Sequence, residues 1–200
     1  MTKTRTWVKD EGAEFTVVEL GPDRLTASGT AVGGDPMPYR LSYQLTTADS
    51  WVTARLLVET GGVDAETGPW RRLLDLRNDG GEWTVRTEAE GDPALPAPGG
   101  DTAVLAGALD CDLGLSPLTN TMPVLREGML TGGGSVDFLM AWVSVPALEV
   151  VPSRQTYTFV SEEKGLSVVR YASPGFTEEI VFDADGLVWD YPSIGRAVGA

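Results

Sequence analysis

The sequence contains no histidine, and Cys111 is its only cysteine. Without histidine there is no Ser-His-Asp or Cys-His catalytic pair and no histidine-based metal site. A single cysteine excludes an internal disulfide and a cysteine-cluster zinc site. The triple glycine at 132–134 lacks the lysine of a phosphate loop and the spacing of a dinucleotide fingerprint, so it predicts a turn. We expect no catalytic residues, metal or cofactor.

Positive charge and long apolar runs are also scarce. The 15 Lys and Arg residues face 29 Asp and Glu residues, which gives a formal net charge of −14. Such a field repels phosphate backbones, so nucleic acid is not an expected partner; the charge mainly indicates a solubility surface. The amino end has no apolar run of signal-peptide length, and no stretch approaches a membrane span. The sequence predicts a soluble, cytoplasmic protein without membrane insertion.

Alternation of apolar and polar residues with a period of two dominates the chain. In the segment 39–46, four apolar residues lie on one face of a predicted strand and four polar residues on the other. Turn residues at 78–81 and at 185–186 predict two tight hairpins. No capped window keeps a 3.6-residue period over more than about three turns. These patterns predict an all-β, mainly antiparallel fold.

An internal similarity relates residues 70–83 to residues 176–189. It indicates either a duplicated β-meander, over about 39–90 and 154–192, or two unrelated hairpins that share an Asp-Gly turn. The proline-rich segment 91–100 is predicted to be a long loop rather than a domain linker, because neither half has enough strands to cover both of its sheet faces. Residues 1–200 are therefore predicted to form a single domain.

A pair of carboxylates flanks the cysteine, and strand alternation would put Asp110 and Asp112 on one side with Cys111, Leu109 and Leu113 on the other. Such a pair could perform acid–base chemistry if burial raised one pKa. It could also bind a hard cation, although two ligands are too few to predict a site. We predict instead that the carboxylates form a solvent face.

The segment Ser116–Pro123 contains four short polar residues and two prolines. Side chains of this kind hydrogen-bond to nearby backbone and hold irregular loops in one shape. An ordered polar loop beside apolar strands is suited to the head of an amphipathic ligand. A purely structural corner explains the segment equally well.

The segments 110–113 and 116–123 together resemble the central motif of a family of bacterial proteins described as putative glycolipid-binding. Stretches within 141–157 and 183–196 match the same family in order, and the resemblance covers nearly the whole chain. It implies a spiral β-roll similar to that of periplasmic lipoprotein carriers and mycobacterial glycolipid-binding lipoproteins. The sequence departs from the family pattern at Ala108, Leu125 and Ser193, where cysteine, a basic residue and glycine are usual.

These observations lead to a sheet curled around an apolar interior and to three function hypotheses. The first is non-catalytic binding of an apolar or amphipathic small molecule, a lipid or glycolipid. The second is a cofactor-free cyclase or isomerase of a hydrophobic natural product that uses the same cavity. The third is an interaction protein without a small ligand. The predicted ligand contacts are three polar residues at or near the motif and three residues of the strands: Thr119, Asn120, Arg126, Met140, Trp142 and Tyr157.

Overall fold

The computed structural model describes residues 1–199. Strands make up 60% of the chain and helices 8%, which confirms the all-β prediction. The fourteen strands are, in chain order, β1 Thr2–Lys9, β2 Gly12–Leu20, β3 Leu25–Gly33, β4 Tyr39–Thr47, β5 Thr53–Asp64, β6 Gly68–Asp79, β7 Glu82–Glu90, β8 Asp110–Leu113, β9 Ser135–Val143, β10 Val150–Glu163, β11 Leu166–Ser173, β12 Phe176–Phe182, β13 Val188–Tyr191 and β14 Gly195–Ala197. The helical elements are three 3-10 turns, at Asp49–Trp51, Thr102–Leu105 and Leu118–Asn120, and the short helix α1, Thr121–Arg126.

All fourteen strands belong to one sheet with the order β7-β6-β5-β4-β3-β2-β1-β14-β13-β12-β11-β10-β9-β8. The amino-terminal strands β1–β7 and the carboxy-terminal strands β8–β14 meet where β1 pairs with β14. Neighbouring strands are antiparallel except β8 and β9, which are parallel. The sheet is curled but not closed into a barrel. The predicted hairpins are present as β6–β7 and β12–β13.

The inner face of the curl follows directly from the alternation in the sequence. Along β4 the apolar residues and Thr47 are buried, and the polar residues between them are exposed. Two glycines make room for the β4 aromatic rings: a Cβ at Gly29 would lie 2.3 Å from the ring of Tyr43, and one at Gly33 would lie 2.4 Å from the Tyr39 hydroxyl. These close approaches require residues without a side chain.

The sheet curls far enough to bring β8, at one edge, against the start of β5. The Thr53 N–H donates to the carbonyl of Leu109 (3.1 Å), and the Cys111 N–H donates to the Thr53 hydroxyl (3.0 Å). Inside the curl, Asp110, Cys111 and Leu113 are buried and Asp112 is half-buried, so both faces of β8 are covered. This placement decides the environment of the two carboxylates discussed below.

The proline-rich segment is hydrogen-bonded to both halves of the sheet. The Gly99 N–H donates to the carbonyl of Leu148 (2.8 Å), and the Val150 N–H donates to the carbonyl of Gly99 (2.9 Å). The buried guanidinium of Arg72 donates to the carbonyls of Leu95 (3.2 Å) and Ala147 (2.9 Å). The segment is thus fixed to both halves of the sheet.

The core fills the curl with aliphatic and aromatic side chains from both halves. Trp7 is fully buried, and its indole N–H donates to the carbonyl of Val188 (2.9 Å), across the two halves. Within residues 1–199, no helix is long and apolar enough to cross a membrane.

Candidate functional site

A cleft of about 350 Å³ opens at one end of the curled sheet, where several strands and turns terminate. We call it the aromatic cleft. Its side chains come from the β3–β4 turn, the end of β8, the segment after it, β9, β11, β12 and the β13–β14 turn. The lining residues are Asp35, Pro36, Asp112, Leu113, Gly114, Leu115, Ser116, Asn120, Trp142, Val145, Tyr171, Phe176, Tyr191 and Ile194.

Two further depressions continue from the aromatic cleft. The bridging pocket, of about 180 Å³, shares Asp35, Leu115 and Ile194 with the cleft. The rim groove, of about 810 Å³, shares Val32, Gly33 and Tyr39 with the bridging pocket. The remaining lining residues of the rim groove are Pro38, Arg40, Gly61, Gly62, Val63, Pro69, Trp70, Arg71 and Glu90. The three depressions therefore succeed one another along the same end of the strands.

Residues 118–123 are helical, so the prediction of an irregular loop is wrong for this part of the segment. A 3-10 turn at Leu118–Asn120 leads directly into α1. Pro123 is tolerated in the first turn of α1, because the N–H groups there have no partner within the helix. Gly128, at φ +65°, ends the helix. Its N–H donates to the carbonyl of Leu125, and the N–H of Met129 donates to the carbonyl of Val124.

The prediction of a solvent face for the two carboxylates is also wrong. Asp110 is only 1% exposed, Asp112 is partly buried at the cleft, and Leu109, predicted to be buried, is 43% exposed. The reason is the position of β8 inside the curl, which covers both faces of the strand. Cys111 lies fully buried between them, and burial raises the pKa of its thiol to about 12.

The two carboxylates of β8 have different partners. Arg126 donates two hydrogen bonds to Asp110, at 2.8 and 2.5 Å. Within residues 1–199, Asp112 accepts side-chain hydrogen bonds only from neutral groups, the Thr119 hydroxyl at 3.0 Å and the Gln155 amide at 2.7 Å. Burial raises the pKa of Asp112, and the nearby charge of Asp110 raises it further, although the two hydrogen bonds act in the opposite direction.

The motif residues form a hydrogen-bonded floor behind the cleft. The Thr119 hydroxyl, besides donating to Asp112, accepts the N–H of Leu113 at 3.2 Å. The Asn120 amide donates to the carbonyl of Pro117 (3.1 Å) and accepts the Tyr157 hydroxyl proton (2.8 Å). These bonds hold the 3-10 turn in one shape against β8 and β10.

Another buried carboxylate, Glu14, anchors the wall between the cleft and the bridging pocket. It accepts hydrogen bonds from Tyr43 (2.9 Å) and Ser116 (2.7 Å) and pairs with Lys9 (2.7 Å). Lys9 also donates to the carbonyl of Leu115 at 2.5 Å. The segment that separates the two depressions is therefore tied to the amino-terminal half of the sheet.

Strained backbone occurs on both sides of this wall. Leu115 has φ +62° and Ser193 has φ +66°, in the left-handed region that favours glycine. A glycine would adopt the φ of Ser193 without a steric penalty. Non-glycine residues in this region cost on the order of 1–3 kcal/mol and concentrate at functional sites.

The raised pKa of Asp112 predicts a pH-dependent effect of Asp112→Asn on stability. A raised pKa means that the folded state binds the proton more tightly, so the contribution of Asp112 to stability is complete below its ordinary pKa of 3.8 and is lost as the pH rises through the folded-state value. Asparagine does not titrate, so the variant does not lose this stability as the pH rises. We expect the difference in melting temperature, variant minus wild type, to increase from below pH 3.8 to neutral pH in thermal unfolding experiments. A difference that stays constant across this range would contradict the prediction.

The six predicted contact residues occupy different positions relative to the cleft. Asn120 and Trp142 line it. Thr119 and Tyr157 lie behind it, bonded to lining residues. Arg126 pairs with Asp110, and Met140 is buried in the core.

Several residues of the cleft were not among the predicted contacts. Tyr171 and Tyr191 alternate onto the inner face of their strands, and Phe176 follows the β11–β12 turn. Tyr191 lies in the Asp-Tyr-Pro stretch that carries part of the family resemblance, which was the available signal. Asp112 was placed on the wrong face because the location of β8 depends on long-range pairing.

No group of three or more metal-ligating side chains occurs in the described part of the chain. The fold and the cleft define an all-β protein with one curled sheet and a ligand-sized opening lined by aromatic and acidic side chains. A family model described as putative glycolipid-binding matches residues 4–197, and the chain belongs to this family. The resemblance seen in the sequence is thereby confirmed.

A solved structure with the same fold is a DUF1089 family protein from Pseudomonas aeruginosa, determined by crystallography at 1.80 Å resolution. It is similar to this chain at 28% sequence identity and a TM-score of 0.66, over 92% of this chain and 91% of the other. No curated protein sequence matches this chain.

Proposed function

We propose that this protein binds an amphipathic lipid or glycolipid without chemically changing it, with the polar head in the aromatic cleft and the apolar part along the bridging pocket and the rim groove. The observation that carries the proposal is the continuity of the three depressions through shared lining residues. The cleft alone is within the usual size range of small-molecule sites, roughly 300–1,000 Å³.

Both ends of this path offer apolar surface to an amphiphile, and charged side chains line the rim groove as well as the cleft. The cleft presents aromatic rings together with Asp112 and Asn120, which can hydrogen-bond to a polar head. The rim groove exposes apolar surface, including Val63, which is 68% exposed, and Val32, which is 54% exposed.

Saturable binding by the whole protein tests the proposal. A neutral, environment-sensitive apolar dye should bind at one site, and an alkyl glycoside below its micelle concentration should displace it. Native mass spectrometry should then show one alkyl glycoside per chain. Val63→Glu should weaken the glycoside at least tenfold, because a carboxylate in the groove is costly beside an alkyl chain.

Val160→Glu is the matched control, since Val160 is an exposed strand valine outside the three depressions. The affinity of Val160→Glu for the alkyl glycoside should equal that of the wild type. Dye uptake without saturation, or equal losses in both valine variants, would reject the groove as the binding path. Absence of any dye or glycoside binding would instead favour an interaction protein without a small ligand.

One observation favours the second function, a cofactor-free cyclase or isomerase. Asp112 has a raised pKa and lines the cleft, which suits a general acid or base. Turnover of a hydrophobic polyene by the pure protein, abolished by Asp112→Asn, would establish this function in place of binding alone.

A further inference from the structure

The charged groups of the aromatic cleft are all of one sign. Asp35 and Asp112 line it, and no lysine or arginine among the described residues does so. The chain as a whole carries a formal charge of −14. An anionic head group would therefore meet repulsion in a partly desolvated site, where charges are weakly screened.

The two carboxylates of β8 differ in whether a cationic side chain is paired with them. Asp110 is neutralised by the two-pronged hydrogen bonds of Arg126. Asp112 has one neutral donor on each oxygen, Thr119 and Gln155, and the second lone-pair site of each oxygen has no side-chain donor in the described part of the chain. No lysine or arginine nitrogen of residues 1–199 forms an ion pair with Asp112. A ligand that brings its own positive charge would supply the missing partner.

The rings of the cleft add a second attraction for a cation. Tyr171 lies 5.9 Å from Phe176 and 6.1 Å from Tyr191, measured between ring centroids, and Phe176 and Tyr191 are 6.5 Å apart. Aromatic faces attract ammonium groups within about 6 Å. Arg126 already lies over Phe138 at 5.7 Å, whereas none of these three rings has a basic side chain over it among residues 1–199.

We infer that the head group bound in the aromatic cleft carries a protonated amine, held between Asp112 and the rings of Tyr171, Phe176 and Tyr191. The inference rests on the proposed function and specifies its ligand as a cationic amphiphile, such as a glycolipid with a free amino sugar. Thr119 and Gln155 act as positioning residues, because each holds one oxygen of Asp112.

A set of three probes with the same alkyl chain tests the inference: a dodecyl glycoside of an amino sugar, its N-acetylated form, and the corresponding dodecyl glucoside. Isothermal titration calorimetry at neutral pH should show the amine bound at least tenfold more tightly than either neutral probe. The affinity for the amine should fall as the pH is lowered through the folded-state pKa of Asp112, because protonation removes the negative charge. The affinities of the neutral probes should change little.

The matched variants are Asp112→Asn and Asp137→Asn, the latter being an aspartate outside the cleft. The ratio of amine to neutral affinity should fall towards one in Asp112→Asn and stay at the wild-type value in Asp137→Asn. Equal binding of all three probes by the wild type, or an unchanged ratio in a folded Asp112→Asn protein, would overturn the inference while leaving lipid binding intact. Binding of none of the probes would overturn both. The wild-type comparison and pH profile remain decisive even where a variant fails to fold.

Discussion

Arg126→Ala is expected to lower the free energy of unfolding by about 3–5 kcal/mol, because it leaves the carboxylate of Asp110 buried without a partner. Both side chains lie out of solvent, at 9% and 1% exposure, and the pair is held by two hydrogen bonds. The guanidinium also lies over the ring of Phe138. Urea denaturation at neutral pH measures the loss as a shift of the midpoint at constant slope.

Arg196→Ala provides the control for this measurement. Arg196 forms the same two-pronged contact with Asp190, at 3.2 and 3.1 Å, but its side chain is 73% exposed. Exposed pairs contribute little to stability, so this variant should shift the midpoint far less than Arg126→Ala does. Similar losses in the two variants would show that the Asp110–Arg126 pair is no more important than a surface contact.

A double variant distinguishes the loss of the Asp110–Arg126 ion pair from the cost of leaving one buried charge without a partner. Asp110→Leu with Arg126→Met removes both charges and keeps apolar volume, so it should recover much of the stability lost in Arg126→Ala. Binding measured on the folded double variant then tests whether Arg126 contacts the ligand, as the sequence predicts. A stable protein with wild-type affinity would assign Arg126 a structural role only.

The sequence was informative wherever structure depends on neighbouring residues. The alternation over 39–46 and the turn residues at 78–81 correspond to strand β4 and the β6–β7 hairpin, because a period of two and a positive φ are local properties. The approach of Gly29 to the ring of Tyr43 has no such local signal, since it depends on the register between two strands. Even so, the curled, all-β form could be predicted before the structure.

The candidate site was less predictable, because strand ends distant in sequence meet there. Asp112, Tyr171 and Tyr191 come together only through the pairing of the whole carboxy-terminal half. The curl of the sheet buries both faces of β8, although the sequence of this strand alternates. Alternation indicates a solvent-exposed face only where one side of the strand contacts solvent. Both sides of β8 are covered.

Trp142→Ala is expected to weaken alkyl glycoside binding roughly 30- to 150-fold. Aromatic side chains bury about 150–250 Å² when fully covered, and covering about half of that area by ligand corresponds to about 2–3 kcal/mol. Trp142 is partly exposed and lines the cleft, directly across from Asp112 in the β8–β9 pair. The substitution therefore removes ligand contact without opening the core.

Trp142→Phe keeps an aromatic face at the same position and should bind within about fivefold of the wild type, since an aromatic ring contributes mainly through its apolar area. Displacement of the neutral dye by the alkyl glycoside gives the affinities, and circular dichroism verifies that each variant retains its β structure. An affinity of folded Trp142→Ala within threefold of the wild type would place the ligand away from the aromatic cleft. Because Val63 lies at the far end of the path, loss of binding in both Trp142→Ala and Val63→Glu would require one ligand to span the cleft and the groove together.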